Sequence, residues 1–221
     1  MLDTGFYIKE NVLSNEECDE LVRALSTAEI RRTRAGARNL MAVPAVAKIA
    51  VDQRFRNITR LLSGADLTPY KATLFDKSDR SNWLVAWHQD TALPIKNTIN
   101  KKGWNALSVK SGIRYVHAPA SALSKVLALR LHLDPSTPTN GSLRVIPGSH
   151  LFGVMSEEEI TRAVGNTASS TCLIGRGGVL AMSPLLLHAS SKVSTDESRR
   201  VLHIEYTQSL EIEPRVTLAI A

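Results

Sequence analysis

Cysteine is scarce in this chain of 221 residues, and long apolar runs are missing from its sequence. Its two cysteines, Cys18 and Cys172, lie far apart and form no Cys-x-x-Cys pair, which argues against a disulfide scaffold and a zinc ribbon. We expect both to be reduced core residues. The best apolar stretch, 40–51, contains Pro44 and Lys48 and is too short to cross a bilayer. The sequence opens on acidic and polar residues rather than on a signal peptide, so a cytoplasmic protein without a membrane partner is expected.

Acidic residues are outnumbered, with 21 Asp and Glu against 27 Lys and Arg, and the formal net charge is +6. This surplus suits an anionic partner, either a nucleic acid or a small acidic substrate. The dense basic cluster consists of four arginines, Arg31, Arg32, Arg34 and Arg38. Aromatic residues, on which single-strand binders stack bases, are only 5% of the chain and are not interleaved with this cluster. A solvated surface segment and a pocket for a small anion therefore remain open, and nucleic acid is the least favoured partner.

The first third of the chain has helical patterns. Ser14 and Glu17 form a capping box, in which each side chain can bind the other residue's backbone amide, so a helix is predicted to begin there. Apolar residues then recur at helical spacing through 18–25. They do so again through 44–64, a segment that opens on a proline, which is favourable at the first helical position, and ends on a glycine.

After residue 68 the sequence changes to short runs of β-branched, aromatic and aliphatic residues separated by Gly, Pro, Ser, Asn and Asp. These runs predict strands at 70–75, 83–88, 126–133, 143–146, 171–174, 179–182, 185–188 and 201–206. Many short strands joined by tight turns, with helices at the N-terminal end, are typical of a mainly β sandwich or jelly roll faced by helices. We expect a single domain over 1–221, with a mostly helical part at 1–66 and a jelly-roll core at 67–221.

The segment Trp87-His88-Gln89-Asp90 closes one predicted strand. Because side chains alternate along a strand, His88 and Asp90 project from the same face and can reach one atom. An imidazole and a carboxylate on one face are two of the three ligands in the facial triad of non-haem iron oxygenases, which leaves three positions for co-substrate and O2. By itself the pair is a weak signal, because His-x-Asp occurs often by chance and is more often a hydrogen-bonded surface pair.

A second histidine strengthens this interpretation. His188 ends an apolar run near the far end of the β region, where the third ligand is required. By itself, His188 would be interpreted as a structural histidine, hydrogen-bonded in the core or at its edge. Farther on, Arg199 and Arg200 open another strand, and an arginine beside a metal site can hold a carboxylate with its two-pronged guanidinium. Alternation along that strand lets only one of the two arginines face the site.

These segments together make the sequence resemble the phytanoyl-CoA dioxygenase family, a branch of the Fe(II)- and 2-oxoglutarate-dependent oxygenases. The similarity runs along most of the chain. Each segment is a weak signal by itself, so the resemblance depends on the order and spacing of the segments. The segments are Gly5-Phe6-Tyr7-Ile8, Leu13-Ser14-Asn15-Glu16-Glu17-Cys18, Trp87-His88-Gln89-Asp90, Asn140-Gly141-Ser142-Leu143-Arg144-Val145-Ile146-Pro147-Gly148-Ser149-His150, Leu187-His188-Ala189-Ser190 and Ser198-Arg199-Arg200.

The resemblance implies a double-stranded β-helix, a jelly roll of the cupin-like type, with His88, Asp90 and His188 as iron ligands. Fe(II), 2-oxoglutarate and O2 are then the expected cofactor and co-substrates. The implied reaction hydroxylates an unactivated C–H bond of a small molecule and releases succinate and CO2. The basic surplus of the chain leaves an anionic substrate open, and the oligomeric state is open as well.

The resemblance also implies a co-substrate site. Arg199, which the family spacing favours over Arg200, would pair with the distal carboxylate of 2-oxoglutarate, and Ser190 would donate its hydroxyl to that carboxylate. Arg130 stands where relatives can have a tryptophan that contacts the co-substrate, so it either contacts 2-oxoglutarate or pairs with a protein carboxylate. Arg38 lies roughly where relatives can place a basic co-substrate contact. The further candidates for lining the site are Thr73 and Lys77, and the histidines interpreted as structural are His117, His132, His150 and His203.

The segment 91–124 is rich in Lys, Asn, Gly and Ser and predicts a loop over the mouth of the site that shapes specificity. Its lysines are consistent with an anionic substrate, although a solvated lid is the more common explanation of such a composition.

Three other functions compete with this interpretation. A protein of the same fold could bind metal and 2-oxoglutarate without turnover, which the presence of all three ligands and the arginine disfavours. A nucleic-acid demethylase would carry a second arginine several residues after the first on one strand, whereas Arg199 and Arg200 are adjacent. A metal-binding cupin would usually show a clustered His-x-His motif, which this sequence lacks.

Overall fold

A computed structural model of the chain describes residues 3–33, 36–77, 82–97, 99, 101–110, 112–194 and 197–221. Arg34 of the basic cluster lies outside these residues. Cys18 and Cys172 are both free and buried, as expected for reduced core residues. No helix in the described part of the chain is long and apolar enough to span a bilayer.

Strands outnumber helices in the described residues. The strands are β1 (Phe6–Lys9), β2 (Arg32–Thr33), β3 (Gly36–Ala37), β4 (Thr68–Lys77), β5 (Val85–His88), β6 (Ala92–Ile95), β7 (Asn105–Lys110), β8 (Ile113–His117), β9 (Val126–His132), β10 (Leu143–Val145), β11 (Ser170–Cys172), β12 (Val179–Met182), β13 (His188–Ser190), β14 (Arg199–Thr207), β15 (Glu211–Glu213) and β16 (Val216–Thr217). The helices are α1 (Asn15–Thr27), α2 (Pro44–Ala50), α3 (Gln53–Ser63), α4 (Ala120–Leu123) and α5 (Glu157–Asn166), with single 3-10 turns at Leu40–Ala42 and Ser149–Phe152.

Two sheets form the centre of the fold. The larger has seven strands in the order β1-β12-β9-β14-β4-β3-β2, and the smaller has four in the order β11-β10-β13-β5. Neighbouring strands in both sheets run antiparallel. The mainly β jelly roll with N-terminal helices, which the sequence predicts, is confirmed.

The two faces of the larger sheet carry different residues because side chains alternate along each strand. On β14, Leu202, Ile204 and Tyr206 join the core that packs against α1, α2 and α3. On the opposite face, apolar residues of β9 and β12 pack against β10, β11 and the turn before β13. Several other positions on this inner face of β4, β9 and β14 are buried and polar or charged. These positions surround the candidate functional site.

The N-terminal helices follow their capping residues. Ser14 accepts from the amide of Glu17 at 3.2 Å, and Glu17 accepts from the amide of Ser14 at 2.8 Å, so the predicted capping box is confirmed. The segment 44–64, predicted as one helical stretch, is two helices, α2 and α3. The chain leaves α2 before Asp52, whose carboxylate caps α3 by accepting from the amide of Arg54 at 2.8 Å. Asp52 therefore begins a second helix within the apolar pattern that the sequence shows through 44–64.

One predicted strand is displaced along the chain. The sequence predicts a strand at 185–188, whereas β13 begins only at His188. The amide of Leu186 donates to the carbonyl of Ser183 at 3.1 Å, and this turn delays the strand. Strand β13 then pairs with both β10 and β5.

The segment 91–124, predicted as a loop, is largely a three-stranded antiparallel sheet in the order β6-β8-β7, followed by α4. Leu93, Trp104 and Val116 of this segment are buried in a core of their own with Tyr70. The sequence did not predict these strands because the segment is rich in polar residues, and each strand has only one apolar face. Its action as a lid, like the single-domain organisation, stays a prediction.

Replacing Leu129 by alanine tests the helix-facing core. This side chain is 0% exposed at the centre of β9, so Leu129→Ala is expected to lower the free energy of unfolding by about 2–5 kcal/mol in urea denaturation. The matched control is Leu61→Ala on α3, where the side chain is 69% exposed and the expected change is within about 0.5 kcal/mol. Equal losses in the two variants would contradict this assignment of the core.

Candidate active site

Strands β5 and β13 bring three potential metal ligands together. His88 ends β5, Asp90 follows two residues later, and His188 opens β13 directly opposite His88. The Nε2 atoms of His88 and His188 lie 3.7 and 3.6 Å from the two carboxylate oxygens of Asp90. All three residues offer ligand atoms that lie within 4.8 Å of one another, so one ion can be reached by all of them. The predicted ligands are thus brought together by pairing between strands that are distant in sequence.

Backbone carbonyls orient both imidazoles. Nδ1 of His88 lies 2.8 Å from the carbonyl oxygen of Ala86, and Nδ1 of His188 lies 2.9 Å from that of Leu186. A hydrogen bond of this kind holds the proton on Nδ1 and leaves Nε2 as a free donor atom for a metal. The donor set of two neutral nitrogens and one carboxylate fits a divalent iron ion.

The ionisation of these residues suits a metal as well. Burial lowers the pKa of His188 to about 4, so this imidazole is neutral at physiological pH. Burial acts to raise the pKa of Asp90, but the neighbouring imidazoles and the Lys71 ammonium outweigh it and hold that pKa below its ordinary value. The carboxylate is therefore available as an anionic ligand.

Gln89, which lies between two ligands, faces away from them and ties the ligand turn to the rest of the fold. Its side-chain nitrogen donates to the carbonyls of Gly153 and Leu185 at 2.8 and 2.7 Å, and its oxygen accepts from the amide of Met155 at 2.8 Å. The amide of Asp90 also donates to the carbonyl of Pro184 at 2.9 Å. The ligand turn is thus fixed to the segment that leads into β13.

Three cations are buried on the inner face of the seven-stranded sheet. Lys77 ends β4, Arg130 lies on β9, and Arg199 opens β14 directly opposite Lys77; their exposures are 1%, 5% and 3%. Lys77 donates to the hydroxyl of Ser190 at 2.5 Å and to the carbonyl of Ser191 at 2.7 Å. Arg199 lies 3.4 Å from the same hydroxyl. These side chains form one group, the inner cation cluster of Lys77, Arg130 and Arg199.

The inner cation cluster has no acidic partner among the described residues: its contacts there are hydroxyl, carbonyl, imidazole and aromatic groups. Nη1 of Arg199 and Nε of Arg130 are buried without any hydrogen-bond partner there. Burying an unpaired charge costs considerable free energy, and removing a partner from a buried donor costs about 1–3 kcal/mol. The cluster therefore fits a bound anion that completes these hydrogen bonds.

The family assignment follows from a comparison of the sequence with protein-family models. Residues 1–201 match the model described as phytanoyl-CoA dioxygenase. The chain belongs to the phytanoyl-CoA dioxygenase family. This membership confirms the non-haem iron, 2-oxoglutarate-dependent enzyme class that the sequence predicts. No curated protein is significantly similar to the chain.

Several solved structures share the fold of this dioxygenase-family member. EctD from S. alaskensis has a TM-score of 0.70 at 19% identity, covering 93% of this chain and 73% of its own. HygX from Streptomyces hygroscopicus has a TM-score of 0.67 at 17% identity, covering 93% and 83%. The epimerase SnoN from nogalamycin biosynthesis has a TM-score of 0.67 at 18% identity, covering 94% and 79%. At these identities the likeness establishes a shared fold.

Alternation along β14 separates the two adjacent arginines. Arg199 faces the interior, whereas Arg200 forms a bidentate pair with Asp134, with both nitrogen–oxygen distances at 2.7 Å. Hydrogen bonding to Asp134 raises the pKa of Arg200. Arg200 is therefore committed to a protein carboxylate, and Arg199 is not.

Burial changes the ionisation of the inner cation cluster. Desolvation, together with the nearby positive charges of Arg199 and Arg130, lowers the pKa of Lys77 to about 7. Desolvation, with Arg130 adding to it, lowers the pKa of Arg199 to about 9. An anion bound here would favour the protonated forms of both groups.

The sequence-predicted residues Arg130, Ser190, Thr73 and Arg38 lie in different surroundings. Arg130 donates to Nδ1 of His203 at 3.1 Å, and no protein carboxylate pairs with it in the described residues. The Ser190 hydroxyl donates to the carbonyl of Gly141 at 2.9 Å, so donation to a co-substrate would require it to turn. Thr73 is buried opposite His203 in the neighbouring strand. Arg38 is exposed after β3, and it affects neither of the shifted pKa values in the inner cation cluster.

A buried polar network that the sequence did not predict adjoins the inner cation cluster. Glu205, at 3% exposure, accepts from Lys71 at 2.6 Å and from the hydroxyl of Tyr70 at 2.7 Å. Nε2 of His203 lies 3.1 Å from the same carboxylate, and its Nδ1 contacts Arg130. His203, interpreted from the sequence as structural, therefore links this network to the inner cation cluster. Period-two alternation from Arg199 along β14 could have indicated both residues.

Replacing His188 by alanine tests the metal site. Since one of three ligands is removed, His188→Ala is expected to lower the affinity for Fe(II) by on the order of 100-fold in anaerobic isothermal titration calorimetry. His150→Ala is the control, because this histidine lies on the Ser149–Phe152 turn and is not one of the three grouped ligands. Unchanged affinity in His188→Ala would contradict the site.

Proposed function

We propose that this protein hydroxylates an unactivated C–H bond of a small molecule, with decarboxylation of 2-oxoglutarate to succinate and CO2. The observation that carries this proposal is the inner cation cluster. Two of its buried guanidinium nitrogens lack partners in the described residues, and its Lys77 is hydrogen-bonded to Ser190, two residues after His188 of the His-Asp-His group. A dicarboxylate co-substrate needs a metal at one end and fixed positive charge at the other.

In this proposal His88, Asp90 and His188 hold Fe(II). Iron bound there supplies the activation of O2 that drives oxidative decarboxylation and oxidation of the substrate. The chain supplies position and charge. Arg199 receives the distal carboxylate of 2-oxoglutarate with its free Nη1, and Arg130 adds a further charge.

Lys77 takes part in holding the co-substrate in this proposal. Its ammonium fixes the Ser190 hydroxyl and belongs to the inner cation cluster beside Arg199. The two hydrogen bonds it donates leave a third ammonium proton free for a carboxylate. Ser190 then acts mainly by positioning Lys77 and Arg199.

The similar structures support a small-molecule substrate. EctD has been solved with 2-oxoglutarate and 5-hydroxyectoine, and HygX with nickel, 2-oxoglutarate and hygromycin B. SnoN, described as an epimerase, has been solved with Fe3+, alpha ketoglutarate and nogalamycin RO. These likenesses favour a non-polymeric substrate, whereas a cytoplasmic location stays a prediction from sequence.

The experiment for the proposed function combines spectroscopy with product analysis. The protein, purified anaerobically and mixed with Fe(II) and 2-oxoglutarate, is expected to show the weak visible charge-transfer band of such complexes. After O2 is admitted, succinate is expected to form, and its formation should rise with the correct substrate. Absence of both the band and succinate would overturn the proposal.

The adjacent arginines provide a matched pair for co-substrate binding. Arg199→Ala is expected to weaken 2-oxoglutarate binding at least about tenfold, measured by titrating the charge-transfer band, because it removes a charge-assisted contact. Arg200→Ala should change this affinity by less than about twofold, because its partner is Asp134. The reverse order would refute the assignment of Arg199.

The lowered pKa of Lys77 predicts that co-substrate binding depends on pH. Its pKa lies at about 7 in the free protein, and a bound anion raises it, so binding takes up a proton. Affinity for 2-oxoglutarate should therefore fall as pH rises from 7, by up to about tenfold per pH unit. The groups facing Lys77 are Arg199, Arg130, Ser190 and the Trp83 ring.

The variant Lys77→Gln separates this effect from titration of the metal ligands. It should weaken binding at pH 6 and remove the part of the pH dependence that centres near pH 7. Metal affinity is measured in parallel by calorimetry, so that loss of metal is not mistaken for loss of co-substrate. An unchanged pH dependence in Lys77→Gln would contradict the role given to this lysine.

A further inference from the structure

A second group of cations surrounds Tyr115, which lies on β8 of the three-stranded sheet. The ammonium nitrogens of Lys110 and Lys71 lie 5.3 and 5.8 Å from the centre of its ring. Tyr115 is 4% exposed, and its buried hydroxyl has no hydrogen-bond partner among the described residues. The hydroxyl of Ser108, opposite Tyr115 on β7, is buried and unpartnered in the same way. Two unsatisfied hydroxyls therefore lie beside concentrated positive charge.

Arg38 directly follows Ala37, which pairs with Leu74 of β4, so it lies beside the strand that carries Lys71. Burial lowers the pKa of Lys110, and the positive charges of Arg38 and Lys71 lower it further. Burial raises the pKa of Tyr115, while Lys71 and Arg38 act in the opposite direction. The two lysines thus contact one tyrosine from β4 and β7, and Arg38 lies beside β4 in the segment after β3.

Positive charge in this group exceeds negative charge. Lys71 is paired with Glu205 at 2.6 Å. Arg38 and Lys110 have no carboxylate within 4.0 Å in the part of the chain that the structure describes, and both retain contact with solvent. Two uncompensated cations beside unsatisfied hydroxyls are suited to receive an anionic group.

The second group and the inner cation cluster are connected by one chain of polar contacts. Lys71, whose ammonium lies over the Tyr115 ring, pairs with Glu205 at 2.6 Å. Glu205 lies 3.1 Å from His203, and His203 lies 3.1 Å from Arg130. A molecule anchored at the second group is thus separated from the inner cation cluster by these side chains and leaves that cluster to 2-oxoglutarate.

We propose that Arg38, Lys110 and the Tyr115 hydroxyl bind an anionic group of the substrate, either a carboxylate or a phosphate ester. This assigns Arg38 to the substrate rather than to the co-substrate contact that the sequence predicts. The role of this site in binding a substrate rests on the proposed function, whereas anion binding at the site does not depend on that function.

The test uses three small aromatic probes that differ in charge: phenylacetate, phenyl phosphate and the neutral phenylacetamide. Binding is measured by ligand-observed NMR on the full chain loaded with zinc and saturating 2-oxoglutarate, which occupies the inner cation cluster. At least one anion should bind about tenfold more tightly than the amide. The stronger of the two anions distinguishes a carboxylate from a phosphate substrate.

Variants then locate the binding. Lys110→Gln and Arg38→Gln should each weaken anion binding about fivefold or more and leave amide binding unchanged, because each removes one uncompensated charge. Tyr115→Phe removes only the hydroxyl and should cause a smaller loss. The matched control is Lys102→Gln, an exposed lysine of the same segment, which should have no effect.

Several outcomes would overturn the proposal. Equal binding of anions and amide by the unmutated protein would do so, as would equal losses in Lys102→Gln and Lys110→Gln. A larger effect of Arg38→Gln on 2-oxoglutarate than on the probes would return Arg38 to the co-substrate. If a variant fails to fold, salt titration of the unmutated protein decides, since only anion binding should weaken with added salt.

Failure of this proposal is distinguishable from failure of the proposed function. A charge-transfer band with no preference for anionic probes would overturn the substrate site alone. A preference for anionic probes without the band would overturn the oxygenase function and leave an anion-binding site.

Discussion

Buried positive charge without a protein counter-charge is the constraint on which the rest of this structure depends. Lys77, Arg130 and Arg199 come from three neighbouring strands and meet on the inner face of one sheet. Desolvation lowers the pKa values of all three groups, and the positive charge of Arg130 lowers those of Lys77 and Arg199 further, so the folded protein holds them at a cost. The apolar packing on the other face of the same strands offsets that cost, because side chains alternate along each strand.

The sheet architecture also explains how a small site is held firmly. The candidate metal ligands lie on two strands of the smaller sheet and directly after one of them, and the cations lie on the larger sheet, so the candidate site occupies the space between the two. Ser190 connects the two sheets by accepting from Lys77, and Gln89 fixes the turn that carries Asp90 to neighbouring loops. Groups positioned in this way are preorganised, which limits the reorganisation that binding and reaction require.

Charge is divided between two places in this interior. The inner cation cluster is fully buried, whereas the group around Tyr115 keeps contact with solvent through Arg38 and Lys110. Glu205 and His203 connect the two, since Glu205 pairs with Lys71 and His203 contacts Arg130. The Glu205 carboxylate lowers the electrostatic repulsion between these two positive regions, and each region can bind its own anion.

Much of the fold could be predicted because local patterns determined it. The capping box of Ser14 and Glu17 predicted α1, and short β-branched, aromatic and aliphatic runs bounded by turn residues predicted most strands of the two main sheets. The same logic, applied to Ser156 and Glu159, would have found α5, which has an identical capping box. The strands of 91–124 were missed because their apolar residues are scattered among Lys, Asn, Gly and Ser, and they are buried only through contacts with distant residues such as Tyr70.

By itself the sequence determined the family, the three metal-ligand candidates and the choice of Arg199, because these depend on short motifs and on their order and spacing along the chain. Tertiary structure alone decided that His188 lies opposite His88, that Lys77 lies opposite Arg199, and that Lys71 and Lys110 lie over the Tyr115 ring. These are pairings between strands and loops far apart in the chain. No local pattern encodes such distances, since register and packing are fixed only when the two sheets close on each other.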